Sequence, residues 1–496
     1  MLFLRAAPRA LCGPPASPGD TVSHPNLVPF LDDLGGIAAT TDPAQVKLKS
    51  RDMSGAFSPV LKREARDRTA DALLMPGTRE DVLRIAAAAA RHRMPLIARG
   101  GGSANFGQSI PLQGGAVVDL TALNRVLWVR DAKVRAECGV RLADLDAQTR
   151  KSGWELRMHP STKRVSTLGG YVGGGHAGVG SCSYGILRDT GNILGMQIVS
   201  VEEEPRIVEL RGAEVNLPHH AYGANGLMLE LEMPLAPAWA WTEAVVCFDD
   251  FMDCVRFGHA LTVSDGIVKK LVSILQWPLP RMIPPLAPVT RDGEAMALCM
   301  IAAPFLESFE TLVAEHGGTV TSLAPEGQGP YGAPIYEFAW GHTRLQVNKV
   351  DRSLVSGVGL YRDPDLIGAI GRSARRFRDV GPMHFESKRI DGVVAFQGSP
   401  IFSYVDDAGL AAVTAGMQED GAIAANNHTF LVRENGMKPV DEIEIAFKRS
   451  MDPYDLLNPG KLTVDDVSVS ASAGARFGAR GWWKDRGIAE ARGEAA

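Results

Sequence analysis

Thr167–Gly180 reads TLGGYVGGGHAGVG. Inside it, Gly173–Gly178 (GGGHAG) fits G-x-G-x-x-G letter for letter. In the strand–turn–helix that gives this fingerprint its meaning, an apolar strand runs into the first glycine and a helix follows the last. An acidic residue then stands about 20 residues on. Here PSTKRVSTLGGYV comes before the glycines, polar and glycine-broken, and VGSCSYGILRD comes after them, a poor helix. The match is accidental, and the glycines serve a loop of another kind.

A second glycine loop lies about 70 residues upstream, RGGGSANFGQS at Arg99–Ser109. It ends a strand–helix–strand unit. DALLMP (Asp71–Pro76) and MPLIAR (Met94–Arg99) read as strands, and REDVLRIAAAAARHR (Arg79–Arg93) between them reads as a helix. Apolar residues recur there at Val82, Leu83, Ile85, Ala86 and Ala89, the spacing of one helical face. Thr78 is its N-cap, with Asp81 an imperfect capping-box partner. Each glycine loop removes side chains where backbone must lie against something, and runs of unblocked N–H groups suit a pyrophosphate. Tight turns are the plainer explanation, but glycine density this high, twice, exceeds what turns need. Two such loops suit a long ligand with a diphosphate in its middle, and FAD has that shape.

The bulk properties are those of a globular protein of two or three domains. The 496 residues are 45% hydrophobic and 22% charged, with a formal net charge of −5, so nucleic acid is not an expected partner. The six cysteines are scattered without a C-x-x-C pair, which points to a reducing, cytoplasmic setting and to neither a zinc site nor a disulfide framework. No apolar run approaches the ~20 residues of a membrane helix. MLFLRAAPRALCGPP (Met1–Pro15) has an apolar core of four residues cut by Arg5, short of the roughly 7–15 of a signal peptide.

Along the chain, residues 1–67 read as an irregular arm with one or two short helices. Strands follow at AVVDL (Ala116–Leu120), and RVLWVR with AKVRAECG forms a hairpin. VRLADLDAQTRKSG reads as a helix closed by Gly153. NILGMQIVSV and RIVELRG flank an acidic turn, and GLMLELEMPL is the last strand of this region. From Trp239 the texture changes to aromatics and Pro-rich spacers, a second domain. From about Thr463 the chain is small and polar, a mobile tail.

The segment MPLIARGGGSANFGQSIPLQGGAVVDLTALNRV (Met94–Val126) resembles the first flavin loop of the FAD-linked oxidase family, the fold shared by vanillyl-alcohol oxidase and p-cresol methylhydroxylase. HPSTKRVSTLGGYVGGGHAGVGSCSYGILRD (His159–Asp189) resembles its second flavin segment. AYGANGLMLELEMPLAP is similar to the strand ending the flavin domain, and DPYDLLNPGKL (Asp452–Leu462) to the family's closing signature. The resemblance implies an α+β protein: a two-subdomain PCMH-type FAD-binding domain over 68–238 and an α+β cap, or substrate, domain over 239–441. Residues 442–463 return to the flavin domain, and 464–496 form the tail.

The same resemblance implies FAD ligands in three groups. Arg99, Gly100, Gly101, Gly102, Ser103, Asn105, Gly107 and Gln108 fall near the pyrophosphate. Pro160, Ser161, Thr167, Leu168, Gly169, Gly170, Gly174, Gly175 and Gly178 fall along the dinucleotide and flavin ring. Gly226, Leu227 and Met228 fall at the adenosine half, and Asn458 belongs to the closing signature. Relatives that bind FAD covalently carry a His where this chain has Ser103, or add a Cys to a second segment that here has none from Ser161 to Gly175. FAD is therefore expected without a covalent bond to either flavin segment, and the resemblance to vanillyl-alcohol oxidase leaves a cap-domain histidine as the one alternative attachment.

The implied reaction is oxidation of an alcohol or 2-hydroxy acid by hydride transfer to flavin N5. It needs a base for the O–H proton, with His the usual choice, and an Arg for the carboxylate of an acid. YEFAWGHTRLQVNK (Tyr336–Lys349) offers His342 and Arg344, on one face if the segment is a strand. MHFESKR (Met383–Arg389) offers His384, Glu386 and Lys388 in the same alternation, and ANNHTF offers His428 in an Asn-rich loop. No H-x-G-D-G-N-type segment is present, so no metal is expected. The alternatives are a sugar or aldonolactone oxidase of the same fold, or a flavin-binding electron-transfer module. The reoxidant (O2, a quinone or a cytochrome) is left open.

Overall fold

The computed structural model describes residues 24–462. The segment read against a signal peptide, Cys12 and the tail lie outside them. The architecture is α+β, built on three sheets. The first holds β1 (Ala39–Thr40), β2 (Ala72–Leu74), β3 (Leu96–Arg99) and β4 (Ala116–Asp119) in the order β1-β2-β4-β3. Strands β2 and β3 run parallel to β4, which the helix Arg79–His92 makes possible by crossing back between them. Its capping box is complete: Asp81 N–H donates to Thr78 Oγ1 at 3.1 Å and Thr78 N–H to Asp81 Oδ2 at 3.0 Å.

The second sheet is antiparallel. It comprises β5 (Val126–Arg130), β6 (Lys133–Glu137), β7 (Trp154–Leu156), β8 (Gly195–Val199), β9 (Ile207–Arg211) and β10 (Leu227–Pro237). The order is β5-β6-β10-β8-β9, with β7 on the far end of β10. Near the end of the chain, Leu96 N–H donates to Leu456 O and Asn458 N–H to Leu96 O, so residues 456–458 dock on edge strand β3.

The third sheet has nine strands: β11 (Trp241–Phe248), β12 (Lys269–Leu275), β13 (Ala295–Ala302), β14 (Thr319–Pro325), β15 (Leu354–Ser356), β16 (Val358–Arg362), β17 (Met383–Ile390), β18 (Val393–Ser403) and β19 (Ile423–Ala425). The order is β14-β11-β13-β12-β17-β18-β16-β19, with β15 on β18. One face buries Val272, Ile274, Phe385 and Phe396 against four helices. Because side chains alternate, the other face of β17 and β18 presents His384, Glu386 and Gln397. That alternation aims polar groups at the flavin-loop side while Phe385 anchors the same strand in the core.

Three local expectations change. The arm carries four short helices and β1, not one or two helices in irregular chain. Pro43 and Pro59 are the reason: each occupies the first helical position, after Asp42 and Ser58 caps that accept from Gln45 N–H (2.8 Å) and Leu61 N–H (3.1 Å). The stretch LGGYVGG (Leu168–Gly174), expected as loop, is a helix. Glycine costs a helix about 1 kcal/mol per residue, yet burial of Leu168, Tyr171 and Val172 at i, i+3 and i+4 outweighs it. Third, Gly341–Val347 is a helix, not a strand.

Candidate functional site

A cavity of about 720 Å3 lies between the two glycine segments and the exposed face of the third sheet. That size is within the range of sites for small molecules and cofactors. Fifteen of the residues expected against FAD line it: Arg99, Gly100, Gly101, Gly102, Ser103, Asn105, Gln108, Pro160, Ser161, Thr167, Gly169, Gly170, Gly174, Gly175 and Gly178. Gly226 and Met228 join them.

Four expected FAD ligands do not reach the cavity. Leu168 and Leu227 are core residues, 1% and 0% exposed, because helix and strand geometry turn them inward. Gly107 adopts φ +72° and offers its carbonyl to Lys461 Nζ at 2.6 Å. Asn458 Nδ2 donates to the carbonyls of Gln108 (2.7 Å) and Tyr222 (2.6 Å), so it braces the first loop from behind.

The glycines act in two ways. A Cβ on Gly101 would overlap the Val165 carbonyl oxygen, and one on Gly169 would sit 2.7 Å from Cys138 Cβ. These positions let two backbone segments touch each other. At Gly173 and Gly174 a Cβ would meet only Met228 Cε (3.8 Å) and Gln108 (3.6 Å), so there the missing side chain leaves space for the ligand. Arg99, Tyr171 and Tyr222 line the same space, and Arg99 Nε and the two hydroxyls are buried without hydrogen-bond partners among the described residues. Buried polar groups need hydrogen-bond partners, and a bound dinucleotide would be placed to supply some of them. The residues fit FAD.

The third sheet brings His384 and Glu386 to the cavity wall. His384 Nε2 is 2.7 Å from Glu386 Oε1 and 3.1 Å from Thr343 Oγ1. Thr343 spends its only proton on the Phe338 carbonyl, 2.7 Å away, so toward the ring it can only accept. Two acceptors therefore face Nε2, which assigns the proton to Nε2 and leaves the Nδ1 lone pair unused. Glu386 is buried, and its Oε1 also accepts from Ser273 Oγ (2.7 Å) and the Trp340 N–H. Trp340 makes that bond in a left-handed conformation, φ +57°, a cost of order 1–3 kcal/mol.

His342 and Arg344 both line the cavity but not as a pair on one face. Their helix separates positions two apart by about 200°. Burial lowers the His342 pKa. Arg344 is taken by the arm: its Nη1 donates to the Phe57 carbonyl and its Nη2 to that of Ala56 at 2.8 Å, with the guanidinium 5.2 Å from the Phe57 ring centre. His428 is not on the cavity. Its Nδ1 meets Ser58 Oγ at 2.9 Å, and burial with Arg344 nearby lowers its pKa to about 4. Among the described residues no group of three His, Cys, Asp or Glu is placed to hold a metal, and no helix is long and apolar enough to cross a membrane.

Sequence reasoning missed Met53 and Phe57, which bring the arm into the cavity wall, and Gln397 and Ser399 on β18. The arm residues leave no local signal. Gln397 does, because Asp391-Gly392 is a two-residue hairpin turn with φ +49° and +80°. It pairs Ile390 with Val393, and counting back puts Gln397 opposite Glu386.

Comparison with known proteins points to the same cofactor. Residues 70–209 match the family model described as FAD binding domain. An uncharacterized FAD-linked oxidoreductase of Mycobacterium tuberculosis is 36% identical over 126 residues, 25% of this chain and 27% of the relative. Glycolate oxidase subunit GlcD of Bacillus subtilis is 25% identical over 213 residues, 41% of this chain and 44% of the relative. The chain thus spans less than half the length of these curated relatives. A solved alkyldihydroxyacetonephosphate synthase superposes with a TM-score of 0.66 at 16% identity, covering 88% of this chain and 85% of that one. The chain carries an FAD binding domain within the fold of the FAD-linked oxidases.

Proposed function

We propose that this protein is an FAD-dependent oxidoreductase that oxidises the CH–OH group of an alcohol or 2-hydroxy acid. The observation that carries the reading is the His384–Glu386 pair on the cavity wall opposite the glycine segments. Bound FAD supplies the hydride acceptor. His384 Nδ1 takes the hydroxyl proton, and Glu386 holds the ring and stabilises the imidazolium that forms. Phe57, Met53 and Trp340 exclude water from one side of the cavity. Names of relatives support the reading, an FAD-linked oxidoreductase and a glycolate oxidase subunit among them. FAD is held without a covalent bond: Ser103 Oγ is engaged with Ser166 Oγ at 2.7 Å, and burial pushes the Cys138 thiol up to about 12, away from the reactive thiolate.

Two measurements test this. Heat denaturation should release all the flavin as FAD. Under anaerobic conditions, one or more of a panel of hydroxy acids and alcohols should bleach the yellow protein. A protein that purifies with FAD and is bleached by none of them is not this kind of oxidoreductase.

A further inference from the structure

The cavity wall on β17 and β18 is a ladder of paired residues. His384 stands opposite Ser399, Glu386 opposite Gln397 and Lys388 opposite Ala395, so these side chains share one face. Lys388 is fully buried behind the wall. Its Nζ donates to Gln397 Oε1 at 2.5 Å, its one hydrogen-bond acceptor among the described residues, and no carboxylate there lies within ion-pair distance. An ammonium group only donates. While Lys388 is charged, Gln397 turns its carbonyl oxygen to it and its NH2 group away. That NH2 has no partner among the described residues, and Gln397 lines the cavity.

A buried ammonium group with no carboxylate in contact is disfavoured. Burial, with Arg188 close by, depresses the Lys388 pKa to about 7 against the opposing pull of Asp189. An anion placed against the Gln397 NH2 offsets that cost through the polarised amide, and a neutral sugar hydroxyl does so far less. Arg344, the expected anchor for an acid, is committed to the arm carbonyls instead. His384 and Gln397 are diagonal neighbours, with backbones roughly 7–8 Å apart, so their side chains can converge on groups carried by adjacent carbons.

We propose that Gln397, held by Lys388, binds the carboxylate of a 2-hydroxy acid whose hydroxyl is presented to His384. This deepens the CH–OH reading and rests on it. Gln397 is the specificity-determining group, and Lys388 is a positioning residue that acts through it. A carboxylate placed there brings the 2-hydroxyl to the base.

Oxalate, a two-carbon dicarboxylate, is the probe, titrated calorimetrically into the FAD-loaded protein. Wild type is expected to bind it. Gln397→Leu and Lys388→Met should each weaken binding at least tenfold with normal FAD content. Both should raise KM for hydroxy acids more than they lower kcat, and raise it by a larger factor than KM for the corresponding neutral diols. If Lys388→Met does not fold, Gln397→Leu carries the test alone. Failure of wild type to bind oxalate, or unchanged binding in Gln397→Leu, overturns the proposal. If oxalate binding depends on Gln397 but neither hydroxy acids nor alcohols bleach the flavin, the carboxylate site stands and the CH–OH reading falls.

Discussion

His384 Nε2 lies 2.7 Å from Glu386 Oε1, two positions apart on one face of β17. On the proposed reading, this contact makes His384, rather than His342, the group that takes the hydroxyl proton. His384→Ala should retain FAD, whose glycine segments lie on other elements, and reduce about 10²–10⁴-fold more slowly in anaerobic stopped flow. Glu386→Gln should lose less, because the amide oxygen still accepts from Nε2. His342→Ala and His428→Ala should stay within a few-fold of wild type. A slow His342→Ala beside a normal His384→Ala moves the base to the helix.

Gly101 and Gly173 are glycines for different reasons, and valine separates them. At Gly101 the new side chain collides with the Val165 carbonyl, so Gly101→Val should be insoluble or unfolded. At Gly173 only Met228 Cε is near, at 3.8 Å. Gly173→Val should therefore fold, with a near-wild-type circular dichroism spectrum, and purify without flavin. Equal flavin content in wild type and Gly173→Val shows that this part of the cavity is not used.

What was legible in the chain follows from how local each signal is. The helix Arg79–His92 announces itself through a cap and a periodic apolar face, and β17 through strict alternation around Phe385. The helix Leu168–Gly174 could not be read, because three buried side chains override four glycines and the partner surface is remote in sequence. GHTRL is short enough to alternate as a strand or turn as a helix. The buried Thr343, Arg344 and Val347 settle the matter only once the arm is in place. Burial of Arg344 against Phe57 joins residues 287 apart, beyond the reach of any local pattern.

That long-range contact makes the arm part of the site. Arg344 holds the Ala56 and Phe57 carbonyls, Asn348 Nδ2 adds a 3.2 Å bond to Ala56, and Met53 N–H donates to Ala104 in the first glycine loop at 2.8 Å. Charged donors contribute about 1.5–3 kcal/mol per hydrogen bond. Arg344→Met should loosen this segment first. Hydrogen exchange at residues 53–58 should accelerate while protection of the third-sheet strands stays as in wild type. Uniform loss of protection across the protein would make Arg344 a general stability residue.

Lys270 and Glu155 form a buried ion pair between β12 and β7, Nζ to Oε1 2.6 Å, with side chains 2% and 1% exposed. Trp241 Nε1 also donates to Glu155, at 3.0 Å, and Arg150 completes its shell. Truncating Lys270 removes one of the two cations on Glu155 and leaves it with Arg150 and Trp241. Lys270→Met should therefore cost less than the about 3–5 kcal/mol of a fully broken buried pair in urea denaturation. Lys270→Met combined with Glu155→Gln should recover part of that loss, since the carboxylate charge is gone too. Additive losses would show that the two residues do not interact energetically.

Lys461 gives a pH dependence with a definite sign. It is fully buried, donates to Gly107 O at 2.6 Å and sits 4.5 Å from the Phe430 ring centre. Burial is the largest cause that depresses its pKa to about 7, and Asp52 pulls the other way. In the unfolded chain a lysine titrates near 10.4. Below pH 7 both states hold the proton, and folding bears the full cost of burying the charge. Between about 7 and 10.4 the folded protein releases a proton that the unfolded chain keeps, so this contribution to stability rises with pH. Lys461→Met removes that slope and adds a pH-independent loss of the Gly107 bond. In urea denaturation at pH 6.5, 7.5 and 8.5, wild-type stability relative to the variant should therefore increase with pH. A relative stability that stays flat from pH 6.5 to 8.5 shows Lys461 charged in the folded protein throughout.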